Sequence, residues 1–152
     1  MHQMIRHTLA VVSFTSSQVQ QAVGINRNHL KVLTNSGVIS ASVAEADGTG
    51  NYRRFNLINL CEIGFAYQVK RLGVARPKLL ARWIQAVSQA LHAKKHYMIC
   101  RSDGSVEFAN TPLQLNKSLN RGDAALTINI AQLQSDLLTR LGHLESAPAS
   151  WM

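Results

Sequence analysis

The run from Phe14 to Phe55 constrains this chain more than any other, because it holds two helix starts separated by a three-residue break and followed by two short alternating segments. Thr15-Ser16-Ser17-Gln18 places a hydroxyl three residues ahead of a Gln. That is the form of a capping box, and it predicts a helix from about Ser16. Val19, Ala22 and Val23 supply its apolar stripe. Gly24 then favours the left-handed conformation that ends a helix, Ile25 is an apolar plug between two helices, and Asn26 is a good cap for the next one. The second helix turns Leu30, Leu33 and Val32 inward and leaves Arg27, Asn28, His29, Lys31, Thr34 and Asn35 outside. Two short helices joined by a Gly-containing turn form the unit that lays its second helix in the major groove of DNA. Gly37 stops that helix. Val38–Val43 and Tyr52–Phe55 then have the pattern of a hairpin across a tip at 45–51, which would be a wing beside the helix pair.

Charge points the same way. The chain carries a formal +8 and has a pI near 10.1. From Met1 to Lys95 twelve Lys and Arg stand against three acids, whereas from His96 to Met152 four stand against five. The basic excess therefore lies wholly in the part that holds the two helices, as expected for a partner that is a polyanion.

The ordered series Thr15-x-x-Gln18, Gly24-Ile25-Asn26, Leu30-x-x-Leu33-Thr34-Asn35-Ser36-Gly37-Val38-Ile39 and Asn51-Tyr52-Arg53-Arg54-Phe55-Asn56 resembles the MerR-type winged helix-turn-helix DNA-binding domain over residues 12–92. Asn51 stands where that family usually has Gly. The resemblance implies a bacterial transcriptional regulator that binds double-stranded DNA as a homodimer, with the second helix in the major groove and the wing on backbone or minor groove. Arg27, Asn28, His29 and Lys31 are the candidates for base edges, since Arg and Asn make paired hydrogen bonds to guanine and adenine. Thr15, Ser16, Ser17, Asn26, Asn35, Tyr52, Arg53, Arg54, Lys70 and Arg71 complete the expected DNA-binding set, the last two as part of a basic cluster with Arg76 and Lys78.

After the wing, Leu57 to Leu72 recurs at helical spacing up to Gly73, and Pro77 sits well at the first position of a fourth helix. The broad stripe of that helix predicts a dimer face at Leu80, Trp83, Ile84 and Val87, aided by the C-terminal module, because the long coiled coil of MerR-type regulators is missing here. Beyond Lys95 the period changes to two. Tyr97–Arg101 and Val106–Ala109 form a hairpin around Asp103-Gly104, residues 110–123 read as loop, Ala125–Ile130 as a strand and Ala131–Leu141 as a closing helix. The expected fold class is thus mainly α with small β (α+β). The expected organisation is a tail at 1–11, a DNA-binding domain at 12–92, a small dimerisation or interaction module at 93–141 and a flexible tail at 142–152.

Cys61 and Cys100 show neither disulfide nor zinc-ribbon spacing. His92, His96 and Cys100 are spaced by four, which aligns metal ligands only on one continuous helix, and the change of period at Lys95 argues against that helix. No metal and no cofactor are expected. No nucleophile motif, phosphate loop or carboxylate pair points to an enzyme. No apolar run approaches the roughly 18 residues of a spanning helix and no signal peptide is evident, so a cytoplasmic, nucleoid-associated protein is expected. Two other functions fit the same residues. One is an excisionase-like architectural protein that bends DNA, and the other an adaptor whose C-terminal module binds another protein.

Overall fold

The computed structural model describes residues 13–40 and 54–145. The expected wing tip and half of its strands, with Tyr52 and Arg53, lie outside the described residues, as do the residues up to 12 and the last residues from 146. The chain has an α+β fold. Its elements are β1 (Phe14–Thr15), α1 (Ser16–Val23), α2 (Arg27–Asn35), β2 (Arg54–Phe55), α3 (Leu57–Arg71), α4 (Pro77–His92), β3 (Tyr97–Arg101), β4 (Val106–Ala109), α5 (Pro112–Leu119), β5 (Ala125–Asn129) and α6 (Ile130–Glu145).

Local chemistry sets most helix ends. The Gln18 amide donates to Thr15 Oγ1 at 3.1 Å and the Thr15 amide to Gln18 Oε1 at 2.9 Å, a reciprocal capping box. Gly24 ends α1 at φ +83°. The His29 amide donates to Asn26 Oδ1 at 2.8 Å and so starts α2. α3 has a second box, between Asn56 and Asn59. Pro77 opens α4 at a position where its missing N–H costs no bond.

Long-range packing does the rest. Phe14 pairs with Phe55 and Thr15 with Arg54, so the strand expected to leave the wing closes antiparallel on β1. Val38–Ser40 is not strand. In the second sheet β3 is central, antiparallel to β4 on one side and β5 on the other, with Tyr97 opposite both Ala109 and Asn129. The β3–β4 turn is as expected, with Gly104 at φ +91° taking the left-handed position.

Residues 110–123 are not the expected loop. They hold α5, where the Gln114 amide donates to Thr111 Oγ1 and Pro112 takes the first helical position. Arg101, only 7 % exposed, fastens that helix to the sheet by donating to the Ser118 carbonyl at 2.7 Å and to Glu107 at 3.3 Å. α6 runs to Glu145, beyond the boundary expected at 141.

One hydrophobic core extends from Phe14 to Leu141. α6 packs on both α1 and α3, and Arg140 donates to the Ala22 carbonyl at the end of α1 at 2.8 Å. The core shows no break at residue 92. For the same reason Trp83, Ile84 and Val87 are not a dimer face. They are at most 4 % exposed within the single chain, where α4 packs on α3 and also meets β3, β4 and α6, and Trp83 Nε1 donates to the Arg101 carbonyl at 3.0 Å. Leu80 alone of the expected four stays half-buried. Leu72, expected inside, is 72 % exposed. No helix among the described residues is long and apolar enough to cross a membrane.

Candidate nucleic-acid interface

At 3.6 residues per turn, Arg27, Asn28, Lys31, Thr34 and Asn35 fall on one arc of α2, and Leu30 on the side facing the core. Arg27, Asn28, Lys31 and Asn35 are all exposed, while Leu30 is 4 % exposed and anchors the helix with Ile25. Thr34 turns back on its own helix, donating to the Leu30 and Lys31 carbonyls. Apart from Val32, the expected inward and outward side chains thus separate. His29 is outside as expected, and Val32 departs from expectation. His29 is exposed but sits on a neighbouring arc with Val32, Leu33 and Ser36, and Val32, expected inward, is 66 % exposed.

The position of α2 is fixed from two sides. Through the turn at Gly24 it follows α1, and at its C-terminal end a buried polar cluster holds the chain. Glu62, 1 % exposed, accepts from the Ser40 amide at 3.1 Å and the Ser40 hydroxyl at 2.8 Å, and Asn59 Nδ2 donates to the Ser40 carbonyl at 2.9 Å. Burial pushes the Glu62 carboxyl up from its ordinary value, and the Ser40 and Asn59 hydrogen bonds counter only part of that rise. The carboxyl is therefore a positioning group for Ser40, where the chain leaves α2.

Of the other expected contacts, Ser16 and Ser17 form the first turn of α1. Thr15 and Asn26 have their side-chain oxygens engaged in capping, and Thr15 lies beside Arg54 across the β1–β2 pair. Arg54 is half-buried and two of its nitrogens donate to Ser13 Oγ, at 3.2 and 3.0 Å, which turns it back toward β1. Lys70 and Arg71 are exposed at the end of α3, with the Arg71 guanidinium 5.7 Å from the centre of the Tyr67 ring. His29 and Lys70 border one groove between α2 and the α3–α4 corner. Sequence spacing alone did not bring these two together, nor did it place Tyr67 beside them; Arg76, expected in a basic cluster with Lys70, lines the same groove.

The field of this region is of one sign. Among the described residues from Ser13 to Lys95 the sole carboxylate is Glu62, which is buried, whereas Arg27, Lys31, Lys70, Arg71, Arg76 and Lys78 are exposed. Of the five acids in the other half, Asp103 in the β3–β4 turn and Glu107 on β4 are held below the ordinary carboxylate range, by Ser105 and by Ser118 respectively.

The described residues hold no cluster of His, Cys, Asp and Glu able to bind a metal. α4 ends at His92, whose Nδ1 lies 2.8 Å from the Ser88 carbonyl, and Cys100 is buried in β3, so the four-residue spacing of His92, His96 and Cys100 aligns nothing. Comparison of the chain with protein-family models and with curated proteins finds no match.

Proposed function

We propose that this chain is a sequence-specific double-stranded DNA-binding protein, a bacterial transcriptional regulator that enters the major groove with α2. The observation that carries the reading is the exposed arc of Arg27, Asn28, Lys31 and Asn35 on a helix set by a three-residue turn after α1, in a surface region whose one described carboxylate is buried. Arg27 and Asn28, at the start of α2, are the base readers, as expected for the N-terminal end of a helix entering the groove. Lys70 and Arg71, with the Ser16 and Ser17 amides at the start of α1, serve the phosphates.

A single unit of this size reads few base pairs, so useful specificity requires two half-sites. The chain acts as a homodimer through its C-terminal part. β5 is an outer strand without charged residues, pairing only with β3 among the described residues, and exposed Leu72 lies beside it with Leu126, Ile128 and Leu133. One observation favours a second reading. α4 ends at His92 and the chain turns into a sheet, so α4 does not continue as a long helix that would fix the spacing of two copies. Head-to-tail assembly along DNA, as in an excisionase-like architectural protein, follows if copies associate without two-fold symmetry.

Selection of bound duplexes from a random pool decides between these readings. The regulator reading expects an inverted repeat. It also expects Arg27→Ala to relax preference at defined positions by about 1–3 kcal/mol, and Arg71→Ala to weaken all sequences alike. Direct repeats would favour the architectural protein. Enrichment of no motif, with affinity set by salt alone, would refute both base-reading forms.

A further inference from the structure

Beside the proposed reading helix lies a groove of about 470 Å³, walled on one side by α2 and on the other by the end of α3 and the start of α4. A volume of this order suits a small organic molecule rather than an ion. Its walls are apolar: Val32, Leu33, Tyr67, Val74 and Leu80 line it. Its charged side chains have one sign, since Lys70 and Arg76 border it beside His29 and no lining residue is acidic. Val32, 66 % exposed, is a β-branched apolar side chain on an otherwise polar helix surface, and a body seated in the groove would cover it. The Tyr67 hydroxyl has no hydrogen-bond partner among the described residues. Arg76 precedes α4 without a side-chain capping bond, so its guanidinium is not committed to the helix it introduces.

We infer that this groove binds a small amphipathic carboxylate, with an aromatic or medium-chain aliphatic body against Val32, Tyr67 and Leu80 and its carboxylate on Lys70 and Arg76. Inorganic phosphate and nucleotides fit poorly, because a strongly hydrated dianion gains nothing from the apolar walls. A neutral body of the same shape lacks the charge-assisted bonds that the rim offers. The consequence for DNA rests on the reading given above. The carboxylate takes Lys70 from the phosphates, and the body leans on α2 at His29 and Val32, so the molecule antagonises DNA binding. By linkage, DNA lowers affinity for the carboxylate by the same factor.

The test separates the two parts. Titration calorimetry of the full chain with 1-naphthoate, with no DNA present, should give one site per chain. Arg76→Glu and Val32→Glu should each weaken it by about tenfold or more, and the neutral 1-naphthalenemethanol should bind at least about tenfold more weakly than the carboxylate. Both substituted positions are exposed, and circular dichroism verifies that both variants fold. No binding of 1-naphthoate or decanoate, or equal affinity in wild type and both variants, would overturn the site. With the duplex enriched by selection, saturating 1-naphthoate should lower affinity for wild type and leave Arg76→Glu unchanged by the ligand. Carboxylate binding that leaves duplex affinity untouched would overturn the antagonism. A chain that binds 1-naphthoate and no duplex would overturn the DNA reading while the site stands.

Discussion

Leu137 and Gly64 decide whether the closing helix is part of the same cooperative unit as the DNA-facing helices. Leu137 on α6 is 1 % exposed and packs on α3 at Gly64, where an added Cβ would lie 3.0 Å from Leu137 Cδ1 and 3.7 Å from Leu133 Cδ1. Leu137→Ala removes three buried carbons at roughly 0.8 kcal/mol each and leaves a cavity between two rigid helices, for a total of about 3–4 kcal/mol. For a chain of this size that lowers Tm by about 8–14 °C. Gly64→Ala has opposite effects in the two backgrounds. In the wild type the helix-propensity gain of roughly 1 kcal/mol is outweighed by crowding against Leu137, so we expect a net loss of about 1 kcal/mol. In Leu137→Ala the obstacle is gone and the new methyl enters the cavity, so the same change should stabilise by about 1 kcal/mol. The coupling, about 2 kcal/mol, is well outside the scatter of independent sites. Urea unfolding of the four proteins, followed both by far-UV circular dichroism and by tryptophan fluorescence, measures it. Additivity within about 0.5 kcal/mol would refute the close approach of α3 and α6. Separate transitions for the two probes would refute a single cooperative unit.

Glu62 should give a measurable pH dependence. Its folded-state carboxyl titrates above its ordinary value, so it contributes stability that is fully present below the unfolded value of about 4.5 and is lost as pH rises through the higher folded one. Glu62→Gln should flatten the fall of stability with rising pH in that window, and an unchanged profile across urea titrations from acid to neutral pH would count against it. Burial pushes both Cys61 and Cys100 up to about 12, which leaves almost no thiolate at neutral pH. An aromatic disulfide reagent should therefore label native protein only at the rate of unfolding, and fast labelling of either thiol without denaturant would refute their burial. Thr15→Ala removes the cap of α1 and should cost about 1 kcal/mol, read as a Tm about 2–4 °C lower, whereas Thr15→Ser should retain most of it.

What the sequence determined by itself is local. The starts of α1, α2 and α4 are written in Thr15-x-x-Gln18, Gly24-Ile25-Asn26 and Pro77, and the β3–β4 turn in Asp103-Gly104, because a cap or a tight turn needs only groups three or four residues apart. α5 was legible in the same way: Thr111-Pro112-x-Gln114 is a helix start, hidden behind a Pro and a Gly that suggested a loop. The exposed face of Arg27, Asn28, Lys31 and Asn35 was readable because helical spacing sorts polar from apolar side chains without reference to the rest of the chain. The tertiary structure alone decided which apolar side chains are used up at home. The stripe of Trp83, Ile84 and Val87 looks the same whether a second copy or the rest of the chain covers it, and only the packing of α4 on α3, the second sheet and α6 shows that the core takes it. Pairing of β2 with β1 across forty residues, burial of Arg101 under α5 and the meeting of His29 with Lys70 at one groove are likewise long-range choices. Periodicity states how much apolar surface an element must hide, and the partner that hides it is set by the whole packed chain.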